Sequence, residues 1–128
     1  MRVFKTRGFA RFARREMISD EALARAIRLA EAGLINADLG SGLIKLRLAR
    51  PGGGKRGGYR TLIAYQAKNR AVFLFGFAKN ERENISPDQL AELKAIASGF
   101  IRQSDSAFAE DASEGRLQEV DYDEENEG

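Results

Sequence analysis

The apolar residues of this chain change spacing twice, from helical to alternating at Gly42 and back to helical at Ser86, which orders its elements. A short β-compatible run at residues 2–5 comes first. Phe9, Phe12, Ala13 and Met17 then recur at helical spacing over residues 8–17, with Arg11, Arg14 and Arg15 on the other arc. Ser19 suits the N-cap of a second helix, with Asp20 and Glu21 where acids favour the helix dipole. Ala22, Leu23, Ala26, Ile27 and Ala30 form its apolar stripe, and Gly33 supplies a stop. The pair predicts a helical hairpin.

From Gly42 onward, Ile44, Leu46 and Leu48 alternate with Lys45 and Arg47, the signature of a strand with one apolar face. Residues 50–58 are too rich in glycine for a strand. Residues 59–66 and 71–78 read as strands joined by a four-residue hairpin turn. Ser86, Pro87 and Gln89 combine an N-cap, a proline at the first helical position and the partner of a capping box. Leu90, Leu93, Ala97, Phe100 and Ile101 follow on one face. Short connections favour an α+β domain, a meander of antiparallel strands with helices packed on one face: two N-terminal helices packed on a small antiparallel sheet, then a C-terminal helix. After Gln103 the pattern dissolves, so the expectation is one domain at residues 1–103 and a disordered acidic tail at 104–128.

The 128 residues include neither cysteine nor histidine. That excludes disulfides, cysteine zinc sites, a Ser-His-Asp triad and the commonest transition-metal ligand. Chemistry is left to Lys, Arg, Asp, Glu, Tyr and Ser. No apolar run approaches the roughly 20 residues of a membrane helix, and the N-terminus lacks a signal-peptide core, so a cytoplasmic protein without a membrane partner is expected. The net charge of +2 hides a strong asymmetry. Residues 103–128 hold ten acids and one base, Arg116, which leaves 20 bases against 9 acids in residues 1–102. So basic a body implies a phosphate-bearing or acidic partner.

Three features could carry chemistry. The loop from Gly52 to Gly58 contains Lys55 and Arg56, but it lacks the Ser or Thr and the following helix of a nucleotide-binding loop. It is either a plain hairpin connection or a doubly basic loop that approaches a polyanion. Lys45, Arg47, Lys55, Arg56, Arg60, Lys79 and Arg82 cluster on or beside the strands, and would converge if the strands are neighbours in the right register. Phe73, Phe75 and Phe77 alternate on one strand, as core residues or as a stacking platform for bases. Tyr59 and Tyr65 leave the same choice open. A metal centre is not expected, because the acids show no ligand-like spacing beyond Glu81 and Glu83.

Gly57-Gly58-Tyr59-Arg60, with the run from Phe75 to Arg82 behind it, resembles the RelE/HigB toxins of type II toxin–antitoxin systems. The stretches 38–45, 49–52 and 55–62 are similar to one RelE-type branch, and the similarity covers roughly residues 1–102. The resemblance implies a ribosome-dependent endoribonuclease that cuts mRNA in the ribosomal A site, inhibits translation and is neutralised by a cognate antitoxin. Its nucleophile is the RNA 2′-hydroxyl, and no cofactor or metal is required. Matched residue by residue, Arg60, Lys55 and Lys79 are the implied catalytic residues. Lys45, Arg47, Arg56, Arg82 and Asn80 are the implied RNA-binding ones. Asn80 stands where the RelE archetype has an arginine, and Ser86 falls about where it has a tyrosine.

Two other readings remain open. One is a non-catalytic member of the RelE/ParE superfamily that acts through protein contacts, as gyrase-directed toxins do. The other is a simple RNA-binding module. The acidic tail is expected either to shield the basic face or to serve only as a solubilising extension.

Overall fold

Thr6 closes the first strand and opens the first helix: its Oγ1 accepts the Phe9 N–H at 3.1 Å. The computed structural model describes residues 1–49, 58–79 and 84–122. Their elements are β1 (Arg2–Thr6), α1 (Arg7–Arg15), α2 (Asp20–Glu31), β2 (Ala37–Gly40), β3 (Leu43–Leu48), β4 (Tyr59–Gln66), β5 (Arg70–Ala78), α3 (Pro87–Arg102), α4 (Asp105–Ser113) and β6 (Leu117–Val120). Helix α1 stops earlier than its apolar spacing predicts, because Met17 turns left-handed at φ 60°. The Ile18 N–H then reaches Ala13 O and the Met17 N–H reaches Arg14 O, satisfying the last carbonyls. Gly33 does the same after α2, as its position predicts, and Ser86 with Gln89 forms the expected capping box.

The described strands form one sheet in the order β2-β3-β4-β5-β1-β6. It is mixed rather than purely antiparallel, since β1 runs parallel to β5, with Arg2 opposite Arg70 and Lys5 opposite Phe73. The chain leaves β1 through two helices and comes back as a meander. Its first strand therefore lies beside its last meander strand, a pairing that local spacing cannot reveal.

Each face of the sheet carries a helical layer. Ile44, Leu46, Leu48, Tyr59, Ile63 and Phe73 pack with α1 and α2. Leu43, Leu62, Ala64, Val72, Leu74 and Phe77 pack with α3 and α4. The expectation that all helices share one face is thus corrected, while the two N-terminal helices do pack on the sheet as predicted.

The expected disorder after Gln103 is corrected for residues 104–122. Ser104 caps α4 by accepting the Ala107 N–H, Gly115 ends it at φ 80°, and β6 pairs antiparallel with β1. Phe108, Leu117 and Val120 are buried there. Four of the six acids in residues 104–122 are paired: Asp105 with Arg70, Asp111 and Glu114 with Arg116, and Glu119 with Arg2. Residues 123–128 of the expected tail lie outside the described residues.

Candidate functional site

Register brings two arginines face to face. Along β3 and β4, Leu48 lies opposite Tyr59, Arg47 opposite Arg60, Leu46 opposite Thr61 and Lys45 opposite Leu62. Leu46, Leu48 and Tyr59 enter the α1–α2 layer, so Lys45, Arg47 and Arg60 belong to the opposite face, the one that α3 partly covers. Directly opposed side chains on antiparallel strands start only about 4.5–5.5 Å apart at Cβ. Arg60 is also the cross-strand partner of Phe77 on β5. Two residues beyond Phe77, the Lys79 N–H donates to Gly58 O at 3.0 Å and continues the β4–β5 pairing.

Several contacts hold this end of the sheet. The Asn36 Oδ1 accepts the Arg47 N–H at 2.8 Å, one residue before β2 begins. Thr61 is fully buried and donates its hydroxyl to Leu46 O at 3.0 Å. Tyr59 is core: its ring meets Phe12 edge-on at 5.7 Å and its hydroxyl donates to Glu16 Oε1 at 3.0 Å. Gly58 must be glycine, because a Cβ there would lie 2.6 Å from Leu48 O. Lys94, on α3, was not picked out by spacing; its Nζ would be 3.8 Å from a Cβ on Gly40, which adds an ammonium beside the β2 edge.

Sheet folding gives no reason to oppose two guanidinium groups, since like charges directly across a strand pair are destabilising. Among the described residues, ion pairs engage Arg2, Lys5, Arg15, Arg70 and Arg116, but not Lys45, Arg47, Arg60 or Lys79. Arg47 and Lys79 are exposed, and Lys45 and Arg60 half-buried. Two planar forks and flanking ammonium groups on one surface are chemically suited to an anion with several oxygens.

The structure therefore brings together Lys45, Arg47 and Arg60, with Lys79 at their margin. Lys55, Arg56, Asn80 and Arg82 lie outside the described residues. The alternating phenylalanines are corrected. A bulge leaves Leu74 without a β4 partner, because Leu62 pairs with Phe75 and Ile63 with Phe73. Phe73 is thereby core on the α1–α2 side, while Phe75 and Phe77 sit on the α3 side with ring centroids 6.1 Å apart. Tyr65 is tied to α2: its hydroxyl donates to Glu31 Oε2, and burial together with that carboxylate raises its pKa.

Two described acids of the C-terminal segment are held by arginines outside the cationic strands β3 and β4. Asp105 and Glu119 engage Arg70 and Arg2, and Tyr122 lies beside Arg28, 6.0 Å from ring centroid to guanidinium carbon. No helix among the described residues is long and apolar enough to cross a membrane.

Fold and site together define a small α+β protein with a helical layer on each face of a mixed sheet and, at one end of it, cations that no carboxylate among the described residues pairs. Residues 1–120 match the family described as the RelE toxin of the RelE / RelB toxin–antitoxin system. The chain belongs to the RelE toxin family, which makes it a toxin–antitoxin toxin with a cognate antitoxin as partner. The match runs to the end of β6, so it includes α4 and β6 as well as the stretch read from sequence. No curated protein matches the chain.

Proposed function

We propose that this toxin is a metal-independent endoribonuclease that cuts mRNA in the ribosomal A site, in the cytoplasm, and so inhibits translation. The observation that carries this reading is the opposition of Arg47 and Arg60, neither of them ion-paired among the described residues. In the reaction, a ribose 2′-oxygen forms a bond to the adjacent phosphorus and the bond to the 5′-oxygen breaks. The 2′-hydroxyl loses a proton and the leaving 5′-oxygen gains one, giving a 2′,3′-cyclic phosphate and a 5′-hydroxyl end. Charge grows on the non-bridging oxygens in the transition state, where fixed cations stabilise it most. Arg60 is assigned to the scissile phosphate, with Arg47 and Lys45 along the RNA backbone. Lys79 and Lys55 are assigned to the reacting end, and Arg56, Arg82 and Asn80 to RNA binding.

The test is induced expression of wild-type and Arg60→Ala chains at equal level, with 5′-hydroxyl RNA ends mapped against codon position. Codon-phased ends from the wild type, reduced by about 10²–10³ in the variant, are expected for loss of one transition-state contact. Growth arrest without such ends would overturn the reading.

One observation favours a second reading, a non-catalytic toxin that acts by protein contact. Ser86, at the place of the archetype's tyrosine, is committed to capping α3 by accepting the Gln89 N–H at 3.1 Å. Arrest that survives Arg60→Ala and spares mRNA would select this reading.

A further inference from the structure

Lys94 is half-buried on α3, and no ion pair among the described residues includes it. On a helix the side chains that meet are three and four residues apart. Around Lys94 those positions hold Leu90, Ala91, Ala97 and Ser98, while the acids of α3, Asp88 and Glu92, fall at other spacings. The nearest acid on the sheet is Asp38 of β2. It pairs with Ile44, whose side chain enters the α1–α2 layer, so Asp38 belongs to the far face. Its carboxylate accepts the Gly40 N–H at 3.0 Å. The helix thus brings an ammonium to the sheet without a carboxylate to meet it there.

Register gives that ammonium its place. Lys94 Nζ lies over Gly40, which pairs with Leu43, and Ala37 of the same strand pairs with Lys45. Leu43, Lys45 and Arg47 follow one another on the α3 side of β3, each about 6.5–7 Å from the next. Arg47 and Lys45 are the strand's own cations. At the third step Leu43 is fully buried in the α3 layer, so β3 has no charge to offer there. Lys94 supplies one from the helix, over the glycine opposite Leu43. The cations therefore continue as a row: Arg47 with Arg60, then Lys45, then Lys94.

We infer that Lys94 holds a backbone phosphate of single-stranded RNA beyond the one at Arg47 and Arg60, so that the flanking strand leaves the reacting site along β3 towards β2. A small anion would need only the arginine pair. Charges spaced in a row suit an extended polyanion, each neutralising one phosphate. The ammonium of a lysine is a point charge without a fork, so this contact lengthens the footprint and reads no base. The role rests on the RNA-cleaving reading, which puts the scissile phosphate at Arg60, and adds to it the course of the neighbouring nucleotides.

The experiment titrates the full chain, over a range of salt, with two uncleavable 2′-O-methyl RNAs: a dinucleotide, which has a single phosphate, and a hexanucleotide, which spans the row. Lys94→Met keeps the stem and removes the charge. It should bind the hexanucleotide about fivefold more weakly near 0.1 M salt, with a log–log salt slope shallower by about 0.7. It should bind the dinucleotide as the wild type does, and Lys94→Arg should restore both quantities. Arg60→Gln should weaken both RNAs, which fixes the dinucleotide at the arginine pair. A slope that Lys94→Met leaves unchanged overturns this role, since a lysine that only packs over Gly40 carries no phosphate. So does an equal loss for both RNAs, or a wild-type chain that binds the hexanucleotide no more tightly than the dinucleotide. None of these readouts needs cleavage: a toxin that leaves mRNA intact defeats the cleavage reading, while a Lys94-dependent slope still establishes the contact.

Discussion

The buried guanidinium of Arg70 holds the Asp105 carboxylate at 2.6 Å, and through this pair the first residue of β5 fixes the junction of α3 and α4. The same guanidinium donates to Phe100 O and Gln103 O and lies 4.0 Å from the centre of the Phe108 ring. Its side chain is 8% exposed, whereas that of Asp105 is 98% exposed. The two ends of the pair should therefore differ sharply. Arg70→Ala strands two carbonyls and removes the surface on which Phe108 stacks, and a loss of about 2–4 kcal/mol is expected in urea unfolding. Asp105→Ala removes only a solvated partner and should cost less than about 1 kcal/mol.

Met17 should be improvable. It occupies the left-handed position after α1 at φ 60°, with its side chain almost entirely in solvent at 79% exposure. A residue with a Cβ is strained there and gains no burial in return. Met17→Gly is expected to raise stability by about 0.5–1 kcal/mol, read as a higher urea midpoint at unchanged slope.

Acid should loosen the C-terminal segment through Asp111. Hydrogen bonds from Gln103 and Arg116 hold its carboxyl below the usual carboxylate range. A depressed folded-state pKa means the stabilisation is complete above the unfolded value, near pH 4, and fades as pH falls through the folded value. Unfolding midpoints measured between pH 5 and 2 should fall less steeply in Asp111→Asn than in the wild type. Amide exchange of Leu117–Val120 at acid pH should show the same difference.

Apart from β2, whose four residues are too short to show a period, the strands and helices up to Arg102 were legible because their apolar residues are dense enough to reveal one, as in Ile44, Leu46 and Leu48. β6 and α4 were not, because Phe108, Leu117 and Val120 are diluted among acids whose arginine partners lie far away in sequence. A local signal for α4 did exist, in Ser104 as N-cap and Gly115 as stop. The side of Phe75 was hidden by the bulge at Leu74, which inverts parity two residues before Gly76. Parity alone put Lys45 and Arg47 on one face. That Arg60 stands opposite Arg47 follows only from register, which the buried faces of both strands set together.

That opposition predicts a conflict between stability and function. Two guanidinium groups starting from directly paired positions repel, and among the described residues no carboxylate is paired with either. Arg47→Gln or Arg60→Gln keeps the side-chain length and hydrogen-bonding capacity while removing one charge. Each is expected to stabilise the free protein by about 0.2–1 kcal/mol. The gain should shrink as salt screens the wild-type repulsion, and shrink further in inorganic phosphate if the anion sits between the two forks. RNA affinity should move the other way, with a smaller salt slope in each variant because fewer phosphates are neutralised. Unfolding and RNA-binding titrations on the same three proteins, at low and moderate salt, read both quantities. If both substitutions destabilise the fold at low salt, the arginines are structural props rather than a charge pair kept for an anionic partner.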